Sequence, residues 1–500
     1  MFNIIKLNEK DNIGIATMDI PKNADINYGV TSKDNIPYGH KISITKIKKG
    51  GHIFRYGQII GISTKEIYPG QHVHSHNLTF SEFDRNYDND FSTHLTNLKQ
   101  SDVYFQGYKR NNGSSGTRNY IGLISTVNCS ATVVKKIADT VNQYLLKKKF
   151  NNIDGAVCLK HSSGCGMNNT SYGMSVFNKT IEGFKIHPNF AKVYVIGLGC
   201  ECAQISLYNN DQINNNVEYL NIQDEGGTKE IINKVSKKII EELDIFNKFT
   251  RTKISISELN IALQCGGSDS YSGITANPAL GIASDMIIDH GGSSILSETT
   301  EIYGAEHLLY ERSLNKKNIN KIQKQIEWWK DHLKKNNCTL DNNPSPGNKK
   351  GGLTTILEKS LGAVAKSGSR PMVDVLDYAE KLKTKGFNFM NSPGYDPVSV
   401  TGQVASGANI ICFTTGRGSC FGFKPSPSIK IATNTNMYNK LQEDMDINAG
   451  PIMDNEKSIE EIGKEIFDKI ISVASGEKSK SEINEYGDDE FNPWIIDPTL

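Results

Sequence analysis

From Tyr108 onward, apolar runs rich in β-branched residues return at short intervals: IGLISTV from 121, GAVCLKHS from 155, KVYVIGLG from 192, NIALQCGG from 260 and SSILSET from 293. A strand that is apolar on both faces must be covered on both faces. The amphipathic segments between the runs, such as SATVVKKIADTVNQYLLKKKF, supply that cover, which is the pattern of a parallel, doubly wound sheet of the Rossmann-like kind. The first 80 residues differ. KISITKIKKG, FRYGQIIGIST and GQHVHSHNL are short runs broken by glycine turns, and they predict a small all-β module.

The chain has 500 residues, more than one hydrophobic core supports. Its sequence divides into the β module at 1–80, a polar linker at 81–106, an α/β catalytic domain at 107–340 and a C-terminal α/β domain at 341–500. The last division follows the Gly- and Pro-rich NPSPGNKKGGLTT and further short strands at FNFMNSPG, ANIICFTTG and SIKIATN. The final stretch, SGEKSKSEINEYGDDEFNPW, reads as a polar tail over the surface. With 56 Lys+Arg against 55 Asp+Glu, no global field draws the chain to nucleic acid or to an anionic membrane. No apolar run reaches the ~20 residues that span a bilayer, and the opening residues lack the pattern of a signal peptide, so a cytoplasmic protein is expected.

In open parallel sheets, ligands lie beyond the carboxyl ends of the strands. The residues there form a pattern. IGLISTV runs into Cys129, GAVCLKHS delivers His161 and then Cys165, KVYVIGLG delivers Cys200 and Glu201, NIALQCGG delivers Cys265, Ser268 and Asp269, and SSILSET delivers Glu298 and Glu301. A single cysteine at a strand end is usually a packing residue. Cysteines at four of five ends, with His161, Glu201 and Asp269 nearby, instead predict a metal site at one end of a central sheet, with Cys129, Cys165, Cys200, Glu201 and Cys265 as its ligands. Such mixed ligands suit Fe(II), Mn(II) or Zn(II), and three thiols alternatively suit an iron–sulfur cluster. In HVHSHN, His72, His74 and His76 alternate, so a strand presents them on one side, as metal ligands or as acid and base. GLGCECAQ and GNKKGGLTT lack the full nucleotide-loop patterns, so neither NAD nor ATP is expected. Their backbone N–H groups suit an anion, with Arg118, Lys349, Lys350 or Arg417 supplying charge.

GYKRNNGSSGTRNYIG, HSSGCGM, VIGLGCE, QCGGSDSYSGITANPALG, ETTEIYGAEHLL, NPSPGNKKGGLTTILEKSLGAVAKSG, FTTGRGS, IKIATN and DMDINAG together resemble the altronate and galactarate dehydratase family, along nearly the whole chain. The resemblance implies an N-terminal SAF (β-clip) domain and β-elimination of water from a sugar acid to a 2-keto-3-deoxy acid, assisted by iron or manganese. NPSPGN and EIYGAEHLL are closer to the altronate branch, and SPGYDPVS departs from both branches. Sulfolactate sulfo-lyases resemble the chain too, but usually carry the SAF domain on a separate subunit. A non-catalytic binding paralogue is the alternative of a different class. On this reading His72, His74, His161 and Asp269 are catalytic, while Arg118, Asn119, Ser268, Lys349, Arg417 and Asn434 bind the sugar acid. A homo-oligomer, a dimer, is expected.

Overall fold

The computed structural model describes residues 2–82, 102–209 and 216–496. The first of these segments is all β. Strands Ile4–Ile5, Ile13–Ala16, Lys41–Ser43 and His72–Val73 form one antiparallel sheet, and His52–Arg55, Gln58–Ser63 and Leu78–Thr79 form another. Isoleucines do most of the packing. Ile13, Ile53, Ile60 and Ile67 are buried in a core shared with Tyr271 and Ile356, so the β module is docked on the body rather than tethered to it.

Of the expected linker, residues 83–101 lie outside the described residues. Its last residues, 104–106, are not linker: strand Tyr104–Lys109 pairs antiparallel with Thr252–Ser255. Tyr104 and Gln106 are exposed while Phe105 and Gly107 are buried, the period-two pattern of a half-buried strand.

The central sheet expected from the sequence is two sheets. One is four-stranded and parallel, in the order Gly155–Leu159, Tyr120–Ser125, Phe190–Gly197, Val217–Asn221. Its strands alternate faithfully. Ile121, Leu123, Tyr194 and Ile196 pack with helices Asn128–Lys147 and Thr228–Phe246, while Ile124, Val193 and Val195 pack with helix Tyr172–Lys185.

The other sheet is seven-stranded and parallel, in the order Met372–Leu376, Phe387–Met390, Ser293–Leu296, Asn260–Cys265, Ile410–Thr415, Ser428–Ala432, Ile447–Asn448. It takes strands from both sides of residue 340, so the division expected there falls inside one sheet. Helices Ala276–Asp289 and Ile459–Ala474 pack closely on each other, and helix Asp396–Ala405 meets Tyr172–Lys185 of the four-stranded sheet. The end of the chain is not a surface tail: Phe491 and Trp494 are buried, and Trp494 stacks 5.3 Å from Trp329. No helix among the described residues is long and apolar enough to cross a membrane.

Candidate active site

The strand order of the larger sheet reverses between Asn260–Cys265 and Ile410–Thr415, the place where loops part and leave a crevice. A cavity of about 630 Å³ opens there, lined by Asp269, Gly416, Arg417 and Asn434, by Lys350 and Gly351, and by Tyr38 of the β module. Asp269 is fully held. Its carboxylate accepts from the backbone N–H groups of Tyr271 and Ser272 at 3.1 and 2.9 Å, from the hydroxyls of Ser272 and Thr433, and from Asn434 Nδ2 at 3.1 Å. Burial pushes its pKa up against those donors. Asn434 also caps helix Thr435–Lys440, accepting from Met437 N, so one side chain orients the helix and the carboxylate together. The exposed Arg417 guanidinium has no ion-pair partner among the described residues.

Along the same sheet edge, Cys265, Glu298 and Glu301 are buried with their ligand atoms all within 4.8 Å of one another. Glu298 stands in the left-handed region (φ 74°) just beyond strand Ser293–Leu296, and Glu301 ends the short turn Thr299–Glu301. Lys366 Nζ lies 2.8 Å from Cys265 Sγ and 3.7 Å from Glu298. Lys359 Nζ donates to Glu301 at 2.6 Å, and Asn343 Nδ2 donates to the same oxygen at 2.7 Å. Both Glu298 oxygens lack a hydrogen-bond partner. Burial, then the charge of Glu301, pushes Glu298 well above the usual carboxylate range, and the same two causes bring Asp396, at the start of its helix, up to about 6. Any side chain at 266 would collide with the Asp396 carboxylate, so glycine is required there. A buried carboxylate with two idle oxygens beside a thiol and a second carboxylate fits a divalent transition metal.

Four histidines meet where the β module touches the body. His40 Nδ1 and His72 Nε2 are 3.0 Å apart, His40 Nε2 donates to the Lys350 carbonyl at 3.2 Å, and His74 Nε2 donates to that of Lys349 at 2.9 Å. His76 is exposed, with its ring 5.3 Å from that of His72. Burial, then neighbouring positive charge, lowers His72 to about 3; burial, then Lys41, lowers His74 to about 4. Both imidazoles are therefore neutral at pH 7.

Other expected site residues have other work. All five N–H groups of Arg118 are engaged, with Glu482 at 2.6 and 2.7 Å and with the carbonyls of Thr117, Val473 and Glu477. Asn119 is saturated by Arg110, Asn152 and Phe246. These two residues join the polypeptide segments of the body. His161 is half-buried, bonded through Nε2 to Ser125 O and through Nδ1 to Ser163 N, so both ring nitrogens are engaged. Glu201 accepts from Thr126, Leu198 and Gly199, which makes it a loop anchor. Cys129, Cys165 and Cys200 are exposed at the edge of the four-stranded sheet, whereas Cys265 belongs to the other sheet, so the single site of five ligands expected from the sequence does not form. Lys350, not Lys349, lines the cavity, and the buried Ser268 accepts from Asn348 through its carbonyl. Sequence reasoning missed Tyr38, His40, Lys359, Lys366 and Asp396. A signal existed for two of them: Lys359 and Lys366 are seven residues apart, two helical turns, in LEKSLGAVAKS.

Comparison with known proteins gives three family matches in chain order: the altronate/galactarate dehydratase SAF domain over 2–81, the second domain of D-galactarate dehydratase/altronate hydrolase over 107–247, and the C-terminal domain of D-galactarate/altronate dehydratase over 256–499. The chain is 35% identical to altronate dehydratase of Bacillus subtilis over 97% of this chain and 98% of that protein. It is 36% identical to galactarate dehydratase (L-threo-forming) of Escherichia coli over 95% and 93%. A (2R)-sulfolactate sulfo-lyase subunit beta of Chromohalobacter salexigens is 30% identical over 76% of this chain and 94% of its own length.

Proposed function

Because the chain belongs to the D-galactarate/altronate dehydratase family, we propose that it is a hydro-lyase that takes water from altronate and leaves a 2-keto-3-deoxy acid. The observation that carries this reading is Glu298: a buried carboxylate with no hydrogen-bond partner, beside Cys265 and Glu301, on the sheet edge that carries the cavity. We read that sheet as Rossmann-like, with the substrate at its point of reversal.

Elimination breaks the C2–H and C3–O bonds and leaves an enol that becomes the ketone on protonation at C3. Removing the C2 proton builds charge on the adjacent carboxylate, whose oxygens the unpaired Arg417 fork is suited to grip with two parallel bonds in substrate and transition state alike. Iron or manganese held by Cys265, Glu298 and Glu301 would supply Lewis-acid stabilisation of that charge. Asp269, with its donors already engaged, positions Asn434 and Thr433. A neutral imidazole, that of His72 or of His74, takes the C2 proton; His74 is held by the Lys349 carbonyl, and His72 by His40, which the Lys350 carbonyl holds in turn. Tyr38, its hydroxyl kept protonated by burial and then by the Asp269 charge, gives a proton to the departing C3 oxygen.

The test is release of 2-keto acid from altronate and from galactarate by protein loaded without oxygen with Fe(II) or Mn(II). Turnover of altronate supports the proposal, and no release from either acid with either metal overturns it. The near-equal likeness to the Escherichia coli galactarate dehydratase supports the second reading, which faster turnover of galactarate would select.

A further inference from the structure

The carboxyl edge of the four-stranded sheet gathers a second set of metal-binding side chains, which the proposed reaction does not use. The strand order reverses there too, between Tyr120–Ser125 and Phe190–Gly197. Cys129 lies in the first turn of the 20-residue helix Asn128–Lys147, whose cap residue, Val127, offers no side-chain acceptor to the free N–H groups. Cys165 stands between Gly164 and Gly166 (φ 97° and 67°), and Cys200 follows Gly199 (φ 124°). Backbone bonds knit the three loops together: Asn128 N donates to Ser163 O at 2.9 Å and Ala203 N to Gly164 O at 3.1 Å. A side-chain bond from Thr126 Oγ1 to Glu201 at 2.6 Å adds to them.

We propose that Cys129, Cys165 and Cys200 hold an iron–sulfur cluster of the 4Fe–4S type, with one iron left without a protein ligand. The donor set is the first reason. His161 and Glu201, the nearby imidazole and carboxylate, are spent on internal bonds, so three exposed thiols remain, and thiolates alone select iron–sulfur, zinc or copper(I). The second reason is spacing. A single tetrahedral ion with sulfur bonds of ~2.3 Å needs its thiolates roughly 3.8 Å apart. Among the described residues the one trio whose ligand atoms all lie within 4.8 Å is Cys265, Glu298 and Glu301, so the three thiols on this edge stand wider than that. A cluster, whose thiolates bind different irons, suits thiols set wider than a single ion allows. The third reason is the backbone: left-handed glycines beside Cys165 and Cys200 and an uncapped helix at Cys129 supply N–H groups of the kind that neutralise a cluster's sulfurs.

The experiment reconstitutes the full-length protein without oxygen, using equal ferrous and ferric iron plus sulfide. It measures iron, acid-labile sulfide and visible absorption. About four of each element per chain are expected, with a broad absorption that dithionite bleaches. Cys129→Ser, Cys165→Ser and Cys200→Ser should each lower sulfide content and absorption several-fold at unchanged circular dichroism, whereas Cys338→Ser, another exposed thiol, leaves both intact. Wild-type protein that takes up no labile sulfide, a triple variant that keeps it, or stoichiometric zinc bound in preference to iron and sulfide would overturn the proposal. None of these readouts depends on turnover, so the result stands apart from the assignment of the dehydration site.

Discussion

Lys41 Nζ stands 2.9 Å from both carboxylate oxygens of Glu358, and neither side chain is exposed. Arg55, equally buried, donates to the same carboxylate and to Ser270 Oγ at 2.9 Å. The pair joins the β module to the body across a sequence separation of 317 residues. Burial alone pushes Glu358 up, but the charges of Lys41 and Arg55 outweigh it and bring the carboxyl down to about 2. Replacing Glu358 by Gln leaves two cations buried with half their partners, a change that costs ~3–5 kcal/mol in comparable sites. The thermal midpoint of Glu358→Gln should fall by many degrees. The acid limb gives the sign. A carboxyl whose folded pKa is depressed contributes fully above its ordinary value and loses that contribution as pH falls through about 2, so wild-type stability should drop between pH ~4.5 and 2 with a slope that the variant lacks. Matching slopes in urea titrations of the two proteins would refute the assignment.

Arg417 and Arg118 separate binding from architecture. Arg417→Lys keeps the charge but loses the fork, and KM should rise ~10-fold with kcat little changed, as for lost uniform binding. Arg118→Lys breaks a buried set of five hydrogen bonds at a residue that does not line the cavity, so it should lower the thermal midpoint and leave KM where it was. A rise in KM for the Arg118 variant in protein that is still folded would return that residue to the substrate.

Glu298→Gln is expected to act in opposite directions on the metal-free and metal-loaded protein. Burial holds the Glu298 carboxyl well above the usual carboxylate range, it has no hydrogen-bond partner, and the nearest cation, Lys366 at 3.7 Å, is held more closely by Cys265 at 2.8 Å, so a neutral amide of the same shape should leave the metal-free chain as stable as wild type or more so. Loss of one ligand should weaken metal binding at least as much as the 10–100-fold seen for residues that merely orient ligands. Melting curves with and without Mn(II) measure both effects. The wild type should gain stability with metal and the variant should not.

The sequence makes strands easy to see and their partners hard to see. Every apolar run from IGLISTV to SSILSET is a strand, because a β-branched run needs only local chemistry to be recognised. Which sheet it joins depends on contacts hundreds of residues away. Asn260–Cys265 pairs with Ile410–Thr415 and not with the earlier runs, and that separated Cys265 from Cys200. Lys359 and Lys366 were hidden for another reason. Lysines on an amphipathic helix ordinarily face water, yet these two are 9% and 1% exposed because Glu301, Glu298 and Cys265 balance them. The histidine group was legible from HVHSHN, but not its cause: only His72 lies on a strand, His72–Val73, and the turn after it brings the His74 and His76 rings beside that of His72. Its partner His40 was not legible, since it arrives from a neighbouring strand's edge.

That partner makes the histidine group testable. The Lys350 carbonyl can only accept, so His40 carries its proton on Nε2, and its Nδ1 must accept from His72 Nε2. His72 is thereby held as the tautomer whose Nδ1 lone pair is free to take a proton. His72→Asn should lower kcat by ~10²–10⁴, the range for a lost positioned base, with metal content and circular dichroism unchanged. His40→Phe removes only the partner that fixes the tautomer, so it should lower kcat less and leave KM in place. The pH profile distinguishes this from a structural role. Burial holds His72 at about 3, so wild-type kcat should stay level as pH falls through 6.5, whereas a histidine open to water would begin to fail there. Full activity in His72→Asn, or a kcat limb centred near 6.5 that His40→Phe does not move, would remove this group from the reaction and leave it as the seam between the β module and the helix Pro346–Lys350.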